Sequence, residues 1–145
     1  MRQRRVCKRG WYDGPWIDEP DDVEWADNRT GYSCRVWRSP NFGSLCGYVD
    51  VPKGHPAYGK HYDNVPVEVH GGLTFAEGVD NTAAWRFGFD CGHYMDLCPG
   101  ALAEMEKAGL DTAASILREG TYRDLKYVRT EVEHMAQQLK AMEEK

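Results

Sequence analysis

Residues 67–99, VEVHGGLTFAEGVDNTAAWRFGFDCGHYMDLCP, decide how this chain is expected to fold. The stretch contains two strand-like runs joined by a polar loop, and chemically active side chains stand at the end of each run. If the two runs pair, these side chains meet at one edge of a sheet. The stretch therefore predicts part of a sheet and a candidate functional site together.

Runs typical of β-structure surround this stretch. Residues 32–51 alternate apolar and polar side chains around Ser39-Pro40-Asn41-Phe42-Gly43, which predicts a hairpin with a turn at Pro40. Residues 65–75 and 84–89 predict two further strands. The four strands are expected to form a small antiparallel sheet, a meander or a close relative of one, and Gly47 predicts a bulge or a close backbone approach.

The C-terminal third has the pattern of helices. Residues 100–108 and 111–118 predict two short helices, the second with Asp111 as its N-cap, and residues 121–143 predict a long one with a capping box at Thr121 and Asp124. Apolar side chains recur at steps of three and four along the long helix: Leu125, Val128, Val132, Met135, Leu139 and Met142. Such a stripe either covers a face of the sheet or pairs with a copy of itself, so a homo-oligomer through this helix is one of two alternatives.

Length and composition fit one α+β domain. The chain has 145 residues, of which 41% are hydrophobic. We expect an irregular N-terminal segment over residues 1–31, pinned by its aromatic rings, then a β-rich body over 32–99 and a helical region over 100–145 with helices packed at the C-terminal side.

Charge and hydropathy limit the partners and the compartment. The net charge of −5 argues against duplex nucleic acid as a partner. No apolar run approaches the roughly 18 residues of a membrane span, and no apolar segment follows the basic N-terminus, so we expect a cytoplasmic protein without membrane contact. The basic residues of 2–9 and the acidic residues of 13–27 are expected to pair with each other or to stay solvated, in preference to a basic arm for nucleic acid. Alternatively, the acidic segment meets a basic protein surface.

Five cysteines, an odd number, predict free thiols. They are Cys7, Cys34, Cys46, Cys91 and Cys98. The chain has no CxxC pair, although a looser zinc site from Cys34, Cys46, Cys91 and either His93 or Cys98 stays open. The sequence assigns no cofactor, and whether a metal is bound is unknown.

Histidines and aspartates supply the candidate catalytic residues His70, His93, Asp90 and Asp96. Histidine titrates near neutral pH and is the usual general acid or base. Asp90, His93 and Asp96 are spaced three apart, so in a helical turn they share one face, where the carboxylates would orient His93 or hold a divalent cation.

Further residues predict ligand contacts. Gly71 and Gly72 let the backbone approach a ligand closely. Aromatic rings suited to stacking a base, and a cation suited to a phosphate, are found at Trp37, Lys60, Tyr62 and Trp85.

Four blocks carry a resemblance to a known group: LCGYVDVPKGHPAYGKHY, VEVHGGLTF, WRFGFDCGHYMDLCPG and YRDLKYVRTEVEHMAQQL. In them the chain resembles a group of short, mostly uncharacterised proteins encoded in tailed-phage and prophage genomes. The likeness runs over residues 31–142 with an apparently extra segment at 103–119. The resemblance implies a phage-type accessory protein that acts in the bacterial host cytoplasm, of the kind that modifies the host or counters its defence signalling.

Three functional hypotheses follow. The first is a small phosphodiesterase-like hydrolase that acts on a nucleotide-derived ligand through His70 and His93. The second is a non-catalytic protein that sequesters such a ligand. The third is a protein–protein inhibitor of a host factor. Ligand cleavage, ligand retention and absence of uptake distinguish the three.

Overall fold

The architecture was taken from a computed structural model, which describes residues 5–144. The strands are β1 (Asp22–Ala26), β2 (Ser33–Arg38), β3 (Leu45–Pro52), β4 (Phe75–Gly78) and β5 (Ala84–Asp90). The helices are α1 (Pro99–Lys107), α2 (Asp111–Arg118) and α3 (Leu125–Met142), with short 3-10 turns at Pro15–Ile17 and Tyr62–Asn64.

The five strands form one antiparallel sheet in the order β1-β2-β3-β5-β4. The β2–β3 hairpin is at the centre, and β5 pairs directly with β3, which leaves β4 at the edge. The predicted α+β class, with its long C-terminal helix, is confirmed.

The N-terminal segment contains a strand that was not predicted. β1 lies within residues 1–31, which we expected to be irregular, and it pairs with β2. Its alternating Val23 and Trp25 are set among acidic side chains, so the run looks like a solvated loop. The strand is stabilised across the pair, where Arg35 makes two hydrogen bonds to Asp22, at 2.8 and 2.7 Å.

The predicted strand at 65–75 is wrong except for its last residue, since β4 begins at Phe75. The preceding backbone is instead held by side chains of α3. The Glu68 N–H donates to Gln138 Oε1 at 2.8 Å, and the Gln138 amide donates back to the Glu68 carbonyl at 2.8 Å. The His70 N–H donates to Glu131 Oε1 at 2.9 Å. This segment therefore lies along the helix rather than in the sheet.

The core lies between α3 and one face of the sheet. Val128, Val132, Met135 and Leu139 of the predicted stripe are fully buried, and α3 packs on β2 and β3. A side-chain Cβ at Gly47 would lie 2.5 Å from Val132 Cγ2, so the predicted close approach at this glycine is that of the helix. The stripe covers the sheet, and it is not available to pair with a copy of the chain.

The helix starts differ from the predicted caps. Asp124 is itself the N-cap of α3, because its carboxylate accepts from the Tyr127 N–H at 2.8 Å, and the helix begins at Leu125. The predicted cap Thr121 instead forms a bridge to Asp96. Similarly, Leu110 rather than Asp111 precedes α2.

A buried guanidinium attaches the N-terminal segment to the domain. Arg38 is fully buried and donates to Asp21 at 2.6 Å, to Glu19 at 3.1 Å and to the Gly43 carbonyl at 2.9 Å. It also donates to the Tyr122 hydroxyl at 2.8 Å. Lys8 pairs with Asp21 at 2.8 Å, as expected for basic and acidic blocks that pair, whereas Arg2 and Arg4 of the basic block are outside the described residues.

The helices α1 and α2 lie in one segment, residues 97–121, whose two ends are hydrogen-bonded to each other. We refer to this segment as the α1–α2 excursion. The Leu97 N–H donates to the Thr121 carbonyl at 2.9 Å, and the Thr121 N–H donates to the Met95 carbonyl at 2.7 Å. None of the helices within residues 5–144 is long and apolar enough to cross a membrane.

Candidate functional site

Asp96 lies at the centre of the candidate site and is 1% exposed. Its carboxylate accepts from His70 Nε2 at 2.9 Å, from Arg123 Nε at 3.0 Å and from the His93 backbone N–H at 3.0 Å. Burial alone would raise the pKa of Asp96, but the hydrogen bonds from His70, the His93 N–H and Arg123 outweigh it and hold the pKa below its ordinary value. Asp96 is therefore an ionised carboxylate that holds His70, Arg123 and the His93 backbone in place.

His70 is held at both ring nitrogens. Nε2 contacts Asp96, and Nδ1 lies 2.8 Å from the Tyr127 hydroxyl. One tautomer satisfies both contacts: Nε2–H donates to the carboxylate and Nδ1 accepts the tyrosine O–H. Its role in this arrangement is to position other groups, since neither nitrogen is left for a substrate.

His93 is the more accessible imidazole, with 36% of its side chain exposed. Its Nε2 lies 3.1 Å from Asp90 Oδ1, an ion-pair distance, although the angle is not that of a hydrogen bond and this nitrogen is shielded from solvent. No hydrogen bond to Nδ1 is formed within residues 5–144. The half-exposed Asp90 carboxylate thus lies against Nε2 of His93, and Nδ1 is left for a ligand.

Asp90 also ends β5. Its Oδ1 accepts from the Gly92 N–H at 2.9 Å, and its Oδ2 accepts from the Thr74 hydroxyl at 3.2 Å. Its position before the His93 turn is therefore fixed by the sheet, and the carboxylate shares the face of the sheet opposite α3.

The two histidine rings lie next to each other, with centroids 6.3 Å apart. The route differs from the predicted one, since His70 comes from the loop along α3 rather than from a strand paired with β5. Gly71 makes the approach possible: a Cβ there would lie 2.4 Å from the His93 ring, and φ is +69°. At Gly72, φ is +82° and the space beside it is open.

Exposed apolar side chains follow His93 in the chain, and another stands near Gly92. Tyr94 is 83% exposed, and Met95 beside it has a left-handed φ of +73°, uncommon for a residue other than glycine. Phe42 is 57% exposed and contacts the Gly92 position from the β2–β3 turn. We refer to Phe42, Tyr94 and Met95 as the apolar rim.

The predicted ligand residues are divided between two places. Trp85 lies at the start of β5, where its indole N–H donates to the Lys60 carbonyl at 3.1 Å, and Tyr62 stacks on His61 nearby in the chain. Asp90 is at the other end of this strand, so the three residues are distant from His93. Trp37 is closer, because it pairs with Cys46, which in turn pairs with Asp90 on the same face.

Two site residues were missed from the sequence, Arg123 and Tyr127. Arg123 lies two residues before α3 and Tyr127 lies in its first turn, with the guanidinium 5.2 Å from the tyrosine ring centroid. Tyr127 belongs to the helix flank next to the apolar stripe, but the sequence contains no signal that this flank faces His70.

Burial argues against a nucleophile among the cysteines near this site. All five are free thiols, and only Cys7 is exposed. Burial raises the pKa of Cys34 to about 12 and that of Cys98 to about 11, and it also raises the pKa of Cys91. Within residues 5–144, no group of three or more histidine, cysteine, aspartate or glutamate side chains is arranged to hold a metal ion.

The chain matches no protein-family model, no curated protein and no solved structure.

Proposed function

We propose that this protein is a small hydrolase that cleaves a phosphodiester bond in a nucleotide-derived ligand, with His93 as the general base. The observation that supports it is the half-exposed His93–Asp90 pair beside Arg123 and His70, gathered around the buried Asp96 carboxylate. An imidazole for proton transfer and a guanidinium for phosphoryl charge are the groups that such a reaction needs.

The chemistry requires one proton acceptor and one fixed cation. His93 takes a proton from the attacking water, the water oxygen bonds to phosphorus, and the ester P–O bond breaks. The same proton then returns to the leaving oxygen. Arg123 uses Nε for Asp96, which leaves its terminal nitrogens for the phosphoryl oxygens. Asp90 stabilises the imidazolium that forms on His93.

The apolar rim supports a ligand that contains a base. Exposed aromatic rings stack nucleobases with little sequence preference. A phage-type accessory protein with this activity would act in the host cytoplasm on a nucleotide signal of a defence system.

The test is turnover against a panel of phosphodiesters. We expect the purified protein to hydrolyse at least one of bis(p-nitrophenyl) phosphate, 2′,3′- and 3′,5′-cyclic nucleotides and linear dinucleotides. His93→Ala should lower turnover by a factor on the order of 10²–10⁴, because it removes the proton acceptor. His61→Ala is the matched control, since His61 is an exposed histidine that lies outside the site.

Turnover that His93→Ala leaves unchanged would show that another group acts as the base. In that case the assignment of His93 as the base is wrong, and if no phosphodiester is cleaved the hydrolase proposal itself is wrong.

Sequestration of the ligand is the second candidate, and the occupied nitrogens of His70 favour it, because a site with one accessible imidazole lacks a separate general acid. Incubation with the same panel, followed by denaturation and recovery of the ligand, separates the two functions. Intact retained ligand that His93→Ala releases indicates a binder. No uptake at all points to a protein partner, the third hypothesis from the sequence.

A further inference from the structure

A second polar cleft lies on the other flank of α3, between that helix and the β1–β2 turn. It has a volume of about 460 Å³, within the usual range for small-molecule sites. Trp25 and Arg29 line it from the turn side, and Arg129, Glu133 and Gln137 line it from α3.

The cleft is separate from the site at His93. Tyr127 and Glu131 contact His70 from one flank of α3. Arg129 and Glu133, each two residues further along, line the cleft at about 200° around the helix. The two sites are thus on opposite sides of one helix.

The turn side of the cleft has hydrogen bonds within the turn and carries an exposed cation. Asp27 Oδ2 accepts from the Thr30 N–H at 3.0 Å and from the Thr30 hydroxyl at 2.7 Å, so this carboxylate is used within the turn. Arg29, at the tip of the same turn, is exposed and makes no ion pair within residues 5–144.

The helix side adds a second cation over an aromatic ring. The Arg129 guanidinium lies 4.3 Å from the centroid of the Trp25 ring. Its counterion is Glu133, at the long distance of 3.5 Å, and both side chains are nearly half exposed. An exposed pair of this kind contributes little to stability, so an anionic ligand can displace Glu133 at small cost.

From these contacts we propose that the cleft binds a phosphomonoester of nucleotide size. Arg29 and Arg129 bind the phosphate, which guanidinium groups match in geometry as well as in charge. The Asn28 and Gln137 amides, which also line the cleft, bond to the polar edges of the attached group. The proposal does not depend on the hydrolase activity, since no residue of the His93 site takes part.

The test is a titration of the full chain with adenosine monophosphate, inorganic phosphate and adenosine, followed by calorimetry and by the Trp25 indole signal in NMR spectra. We expect saturable binding of the monophosphate, weaker binding of phosphate and none of adenosine. Arg29→Ala and Arg129→Gln should each weaken affinity about 10- to 100-fold, the usual loss for a charged hydrogen bond.

A variant that should raise the affinity makes the test specific. Glu133→Gln should strengthen binding, because it removes the anion that competes for Arg129. Arg118→Ala is the matched control: Arg118 is a half-exposed arginine of α2, paired with Glu106 and outside the cleft. The affinity of the Arg118→Ala variant for the monophosphate should equal that of the parent.

Equal affinity for adenosine and its monophosphate would overturn the proposal, as would binding that neither Arg29→Ala nor Arg129→Gln reduces. Absence of binding at millimolar ligand would also overturn it. Binding that His93→Ala abolishes would assign the ligand to the other site, whereas binding that survives His93→Ala confirms that the sites are separate.

Discussion

At the scale of single residues, the Asp96 carboxylate joins three parts of the chain that are far apart in sequence. It accepts from the loop that carries His70, from the turn of His93 and from Arg123 before α3. A buried anion with three donors is stabilised as long as all of them stay in place, and each donor is also oriented by it. The geometry of the candidate site therefore depends on this residue even though it touches no substrate.

Asp96→Asn is expected to lower the free energy of unfolding by about 2–4 kcal/mol at pH 7, because the neutral amide leaves Arg123 and His70 without their anion. Urea unfolding measures the change. Asp63→Asn is the control, since Asp63 is a mostly exposed carboxylate beside His61, and it should leave the midpoint unchanged. Equal midpoints for both variants would mean that Asp96 does not hold the site together.

The same residue predicts an acid dependence. The pKa of Asp96 is lower in the folded chain than its ordinary value of 3.8, so its contribution is fully present above that value and is lost as pH falls through the folded pKa. Stability of the parent should therefore fall below about pH 4. Asp96→Asn should show a shallower fall when unfolding is followed from pH 6 to pH 2.5. Parallel curves would contradict this assignment.

At the scale of secondary-structure elements, α3 organises both sites and the core. One stripe packs on the sheet, one flank holds the loop of His70, and the opposite flank forms the cleft at Trp25. The flank that holds the loop of His70 explains why the segment before β4 is not a strand.

Val132→Asp is expected to destabilise the protein by several kcal/mol, or to prevent folding, because it places an unpaired charge against Gly47 and Phe89. Val132→Ala provides a measurable intermediate, with a loss of about 2–3 kcal/mol from the cavity it leaves. Thr130→Asp is the control at an exposed position of the same helix. Thermal melting distinguishes them, and a Val132→Asp protein that melts like the parent would show that the stripe is not in the core.

At the scale of the whole molecule, the α1–α2 excursion has few contacts with the core. Buried side chains are few within it, chiefly Leu102 and Ala114, whereas Leu110 and Ile116 are exposed. Its two ends are hydrogen-bonded to each other at Leu97 and Thr121.

Hydrogen exchange should show this difference. Amides of α2 are expected to exchange at least about tenfold faster than those in the middle of α3, because few buried contacts must break to open the short helix. Mass spectrometry of peptides that cover 108–120 and 128–140 measures both. Equal protection in the two peptides would indicate that the excursion unfolds only with the rest of the domain.

The sequence by itself determined the elements whose signals are local. Side-chain periodicity indicated α3, end signals at Gly109, Asp111 and Gly120 indicated α1 and α2, and alternation around Pro40 indicated the β2–β3 hairpin. The density of titratable groups also pointed to His70, His93, Asp90 and Asp96, which the structure places together. These features depend on neighbours within a few residues, so they can be read without knowledge of the fold.

Only the tertiary structure decided the partners. Residues 65–74 have strand-like alternation. However, Gln138 and Glu131 of α3 accept hydrogen bonds from the backbone N–H groups of Glu68 and His70, and the segment lies outside the sheet. The acidic side chains of β1 made it look like a loop in the sequence, and its pairing with β2 depends on contacts such as that of Arg35 with Asp22. Arg123, Tyr127 and the Trp25 cleft likewise depend on contacts between distant segments. Such contacts depend on which surfaces pack against each other in the folded chain, and local sequence does not encode that choice.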